Sequence, residues 1–176
     1  MTPWLKSMKA GKTAEAIRTC SIEIKKNPNN FLLYLVRGAA YADQKRNTEA
    51  MSDFNKSIQL SPDFAPAYTA RCSLKRMLDD LRGAVADCTE AINRGDPNAS
   101  PYSERGLAKV ELRDYQGSLA DFEAALKIDP ESGQAYAGRG TARIELNDKE
   151  AGCLDLSKAG ELGMAEAYAE IRKHCN

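Results

Sequence analysis

Histidine is nearly absent from this chain: its 176 residues hold one, His174, two places from the end. A catalytic base needs an orienting partner and a nucleophile within reach, and a metal usually needs several ligands. A lone terminal histidine supplies neither and reads as a surface residue. The five cysteines include no CxxC pair, so zinc and dithiol redox motifs have no support. An excess of one charge is missing too. Lys and Arg total 25, as do Asp and Glu, and nucleic-acid binding leans on a basic surface that releases counterions. No nucleic-acid partner is therefore expected. No apolar run approaches the roughly 18 residues that span a bilayer, so no membrane insertion is expected. Met1 to Gly11 lacks an apolar stretch of signal-peptide length. Alternating β-branched runs, the mark of strands, are also missing.

The triplet Gly11-Lys12-Thr13 invites a phosphate-loop reading. Such a loop needs a glycine where Lys6 stands, and a strand before it. The triplet reads instead as a turn. No catalytic residue, metal site or cofactor is assigned, and an enzyme is not expected.

What the chain does have is a repeat. With 43% hydrophobic and 28% charged residues it can bury a core, and its apolar residues recur in register. Tyr34, Tyr68, Tyr102 and Tyr136 are 34 residues apart, as are Arg37, Arg71, Arg105 and Arg139. Asp53, Asp87, Asp121 and Asp155 keep the same interval. Gly38, Gly106 and Gly140 form a fourth register, with Cys72 in the vacant place. Within a unit the apolar spacing is helical: Ala50, Phe54 and Ile58 lie four apart on one face. Breakers such as Asn27-Pro28, Ser61-Pro62 and Asp129-Pro130 fall between helices. Each unit is thus a helical hairpin that must stack on its neighbours. Glycine at positions 38, 106 and 140 lets two helices approach closely, and Phe54 and Phe122 fill the space between hairpins.

The pattern Tyr34, Arg37-Gly38, Tyr41, Ala50, Phe54, Pro62 resembles the tetratricopeptide repeat (TPR). The later aromatic is kept only at Tyr41; Lys75, Lys109 and Arg143 replace it. The resemblance implies an all-α fold, a right-handed superhelical solenoid of helical hairpins. The whole chain, 1–176, forms a single domain on this reading. It has a partial first repeat (1–30), full repeats at 31–64, 65–98, 99–132 and 133–163, and a capping helix at 164–176. Trp4 to Ala10 could form a short helix with Thr2 as N-cap and Pro3 in its first turn.

Arg37 and Asp53 are 16 apart across the hairpin turn, as are Arg71/Asp87, Arg105/Asp121 and Arg139/Asp155. An antiparallel hairpin brings such positions to one height. The residues leave two readings, a structural ion-pair ladder or arginines that bind an acidic ligand. The cysteines are similarly open. Cys20, Cys72 and Cys88 read as small apolar core residues, although Cys72 and Cys88 are symmetric about the Asp79-Asp80 turn. Cys153 and Cys175 flank Gly163 by 10 and 12 residues. A last helix folded back there would bring them together as a disulfide in an oxidising compartment; the alternative is free thiols in a reducing cytosol. The chain's ending also resembles caps of bacterial TPR proteins, often exported ones. Localisation stays unassigned: cytoplasmic, or exported if Cys153 and Cys175 are oxidised and a signal peptide was removed.

The resemblance further implies that the first helices line a concave groove. The residues expected to face it are Leu35, Ala39 and Asp43; Thr69, Ser73, Arg76 and Met77; Ser103, Leu107 and Glu111; and Ala137, Thr141 and Glu145. Such a surface suits a protein or peptide segment laid along it. TPR co-chaperones grip acidic chaperone tails with lysine and asparagine. The matching places here, Leu35, Ala39, Ser73, Ser100 and Glu104, or one unit on, Thr69, Ser73, Leu107, Gln134 and Gly138, carry neither a cation nor asparagine, so that clamp is not expected. The function implied is a non-catalytic interaction scaffold. The alternative is an assembly module that self-associates, as a homodimer through an N-terminal edge of Trp4, Leu5 and Ile17, or joins a larger complex.

Overall fold

The structure, a computed structural model, describes residues 12–175. Among them ten helices and no strand are found: α1 (Thr13–Lys26), α2 (Phe31–Asp43), α3 (Asn47–Leu60), α4 (Ala65–Met77), α5 (Leu81–Asn93), α6 (Ser100–Glu111), α7 (Tyr115–Ile128), α8 (Gly133–Glu145), α9 (Lys149–Glu161) and α10 (Ala167–His174). The expected helix at Trp4 to Ala10 and the turn at Gly11 lie outside the described residues.

Local chemistry sets the ends of these helices. Asp80, Asp114 and Asp148, 34 apart, cap α5, α7 and α9 by accepting hydrogen bonds from the amides of Gly83, Gly117 and Ala151. The first helix of each hairpin stops at a left-handed residue: Lys45, Asp79, Arg113 and Asn147 have φ of 58, 63, 62 and 66°. At each stop the next amide turns back to a carbonyl five residues earlier, as Arg46 N does to Tyr41 O at 2.9 Å and Asp114 N to Lys109 O at 2.8 Å. The same bond joins Met164 N to Ala159 O at 3.0 Å behind Gly163. The capping helix accordingly starts at Ala167, three residues later than the sequence suggests, because Gly163 (φ 93°) spends the intervening residues on the turn.

Four hairpins, α2/α3, α4/α5, α6/α7 and α8/α9, stack in chain order, and each first helix also touches the first helix of the next hairpin. α1 stands alone as the second helix of the partial first unit, and α10 packs on α9. This is an all-α solenoid. Its core is a column of one contact repeated. A Cβ on Gly38 would lie 2.7 Å from Phe54 Cε1, and one on Gly106 would lie 2.8 Å from Phe122 Cε1. The aromatic ring fills the space that the glycine leaves. In the fourth hairpin Leu156 takes the aromatic place, and a Cβ on Gly140 would press on Gly152 O at 2.9 Å.

The second hairpin solves the same packing problem with sulfur. Cys72 and Cys88 stand where the others have glycine and the bulky residue, and they form a disulfide with Cα atoms 5.5 Å apart. This corrects their reading as small apolar core residues. The sequence carried the signal: positions that touch in every other hairpin touch here too, and both hold sulfur. Cys153 and Cys175 form a second disulfide that ties the end of α10 to α9. Free thiols at these four positions are thus not what the structure holds. Cys20 is the one free cysteine, with none of its surface exposed.

Candidate functional site

The arginine and aspartate registers meet across each hairpin. Arg37 donates from Nε to Asp53 Oδ2 at 2.7 Å and from Nη2 to Oδ1 at 2.8 Å. Arg71 does the same to Asp87, with both bonds at 2.7 Å. Arg105 Nη2 donates to Asp121 Oδ1 at 2.6 Å, and Arg139 Nη2 to Asp155 Oδ1 at 2.8 Å. The remaining guanidinium nitrogen reaches the previous unit. Nη1 of Arg37, Arg71 and Arg105 donates to Ser21, Asn55 and Thr89, each 16 residues before its arginine. One planar fork therefore locks a hairpin internally and to its predecessor. The Asp53 and Asp155 carboxylates raise the pKa of Arg37 and Arg139 by accepting these bonds, against the opposing effect of burial.

Sequence reasoning missed the second cation. Lys75 Nζ lies 2.8 Å from Asp87, Lys109 Nζ 2.8 Å from Asp121, and Arg143 Nη1 2.7 Å from Asp155. These are the residues that replace Tyr41, and in the hairpin that keeps Tyr41 the ring carries the Arg46 guanidinium 4.3 Å from its centroid.

The residues expected on the concave face do not share one environment. Ser103 is 2% exposed and cannot contact a ligand. The N-terminal half of α6 is enclosed at Pro101, Ser103 and Glu104. Arg76 and Glu111 are committed to each other across two hairpins: Arg76 Nη1 donates to Glu111 and Nε to Glu104, both at 2.8 Å. Burial opposes the Arg76 charge, but these two carboxylates outweigh it and raise its pKa. Thr69 likewise donates to buried Asp96 at 2.7 Å. Leu35 and Ala39 pack on the Phe54 cluster. Asp43, Met77 and Glu145 are exposed and Ser73 is half-buried.

Leu107, Ala137 and Thr141 do come together. With Val110, Leu156 and Met164 they line a cleft of about 430 Å³ between α6, α8 and α10, whose far wall carries Glu166 and Glu170. The sequence placed three of its lining residues but gave no sign that the cap would wall the cleft. Ile17 of the expected N-terminal edge is half-buried, and Trp4 and Leu5 lie outside the described residues. Among the described residues no group of three or more His, Cys, Asp and Glu is placed to hold a metal, and no helix is long and apolar enough to cross a membrane.

Known proteins share this architecture. Residues 8–63 and 103–152 match the tetratricopeptide repeat family model. The tetratricopeptide repeat and J domain-containing co-chaperone DNJ1 of Fusarium oxysporum f. sp. lycopersici is 33% identical over 76 residues, 43% of this chain. That span is 15% of the relative's length. Among solved structures, MamA superposes with a TM-score of 0.77 at 24% identity, covering 96% of this chain and 98% of that one. YrrB, described as a TPR protein with an unusual peptide-binding site, superposes with a TM-score of 0.74 at 14% identity, covering 97% and 88%. Both structural likenesses are of fold. The family match takes in the partial unit and first hairpin, then most of the third hairpin and part of the fourth, and the chain belongs to the tetratricopeptide-repeat family.

Proposed function

We propose that this protein is a non-catalytic scaffold that binds a protein or peptide segment along its concave face. One observation carries the reading: Leu107 of α6 and Ala137 and Thr141 of α8, from successive first helices, line a single apolar cleft with polar walls. Binding sites for small polymers have this composition, an apolar floor with a few placed polar groups. The arginine forks are not free to bind a ligand, since each is held by a carboxylate of the chain itself. YrrB, described as having a peptide-binding site, is consistent with the reading by fold. The lysine and asparagine clamp of co-chaperones does not fit this chain, because its matching places carry neither a cation nor asparagine; Arg76 is engaged by Glu104 and Glu111.

The test is affinity capture with the intact chain, repeated with Thr141→Arg and Arg76→Glu on the inner face and Lys127→Glu on the outer. A partner retained by the chain and by Lys127→Glu, but lost with an inner-face change, is the expected result. Equal capture by all variants would move the site off the concave face.

A further inference from the structure

We propose that the cleft between α8 and α10 receives a segment bearing one bulky apolar side chain flanked by lysine or arginine. The inference rests on the concave-face reading above and names the kind of partner. The floor is apolar: Leu107, Val110, Ala137, Leu156 and Met164 face it. Among the described residues its charged lining residues are both acidic, Glu166 and Glu170, and Glu170 is shared with Lys173 Nζ at 4.0 Å and His174 Nε2 at 3.3 Å. The cleft continues past Thr141 and Glu170 into a smaller one where Glu145 adds a third carboxylate, before Lys173 and His174 close the end. Upstream, Arg76 is held by two glutamates.

Charge therefore decides the occupant. An acidic segment would bring its carboxylates against Glu166 and Glu170, and the exposed Lys173, 4.0 Å from Glu170, offsets only part of that repulsion. A basic segment meets both at the cleft wall, where a lowered local dielectric strengthens attraction over that on open surface. The apolar floor selects what lies between the cations. Burying a large side chain there is favourable in proportion to the area withdrawn from water. The Cys153–Cys175 bond holds the wall in place, because it fixes the end of α10, whose N-cap is Glu166 and whose first turn carries Glu170.

The probes are three fluorescent nonapeptides: a phenylalanine between paired lysines, the same with glutamates for lysines, and the same with glycine for phenylalanine. Fluorescence anisotropy is measured with the intact oxidised chain at low and high salt. The lysine–phenylalanine peptide binds, and the glycine version binds about 10-fold or more weaker, as expected for loss of a buried aromatic. High salt weakens binding several-fold. Glu166→Gln/Glu170→Gln lowers affinity about 10-fold while circular dichroism is unchanged, since two charge contacts of about 0.7 kcal/mol each give that factor. The proposal is overturned if the acidic peptide binds as well, if no probe binds, or if the double variant binds like the parent. It is also overturned if light scattering shows a dimer that the double substitution dissolves, which makes a second copy the occupant. Probe binding lost with Arg76→Glu but indifferent to Glu166 and Glu170 would sink this inference and leave the concave-face reading standing.

Discussion

Lys109 Nζ stands 2.8 Å from Asp121 Oδ2, at the helix position where α2 carries Tyr41. Losing the aromatic and gaining a second partner for the aspartate are thus one change, repeated at Lys75 and Arg143. Asp121 is 3% exposed, so its substitution strands two cations next to a buried site. Asp121→Asn is expected to destabilise the chain by about 3–5 kcal/mol, the range for breaking a buried pair. Urea unfolding measures it. A loss below about 1 kcal/mol would mean that the ladder behaves as a surface feature.

Phe122 is pinned from two sides. A Cβ on Gly106 would meet its ring at 2.8 Å, and one on Gly138 of the next hairpin at 2.3 Å. The ring is fully buried and has no room to give. Gly138→Ala should cost about 1–3 kcal/mol by overpacking, even though alanine favours helix. Thermal unfolding decides it, and a stabilised variant would contradict the packing account.

Ser57 offers the opposite case. It is fully buried, and its hydroxyl finds no hydrogen-bond partner among the described residues. The same place in the later hairpins holds Ala91, Ala125 and Ala159, all with no exposed surface. Ser57→Ala should stabilise by about 1 kcal/mol, because an unmet polar group leaves the core. A rise in the urea midpoint at unchanged slope is the expected readout.

Thiol chemistry tests the disulfides. Burial pushes the Cys20 thiol up to about 11 from 9.0, with Arg37 pulling it partly back and nearby Asp53 adding to the rise. The native chain should therefore show no reactive thiol near pH 8, the unfolded unreduced chain one, and the reduced chain five. A raised pKa favours the neutral thiol in the fold. Its contribution is complete below pH 9.0 and is lost as pH rises through about 11. Cys20→Ser should flatten that alkaline decline.

The cap depends on its own bond. Cys175→Ser opens a loop with a sequence separation of 22, for which loop-closure entropy predicts a loss of about 3 kcal/mol. α10 has eight residues and packs mainly on α9, so exchange of its amides should quicken most. Uniform exchange across all hairpins would place the bond's effect elsewhere.

Much of this was legible from spacing. Tyr34, Arg37 and Asp53 recur without a slip, and a fixed period in a stacked array puts equivalent residues in equivalent surroundings. The Cys72–Cys88 bond was within reach of the same reasoning, since position 38 touches position 54. Ser103 was misplaced because period alone does not reveal enclosure. Its counterparts Thr69 and Ala137 are half-buried, whereas Ser103 is 2% exposed.

The sequence by itself determined the helices, their order and the registers that set Arg37, Arg71, Arg105 and Arg139 at one height with aspartates 16 residues on. Those follow from local turn chemistry and a constant repeat, which neighbouring residues encode. Only the tertiary structure decided that Arg76 is consumed by Glu104 and Glu111 and that α10 walls a cleft floored by Leu107 and Leu156. These depend on how far one hairpin is rotated on the next and where the cap comes to rest, and side-chain packing across units sets both.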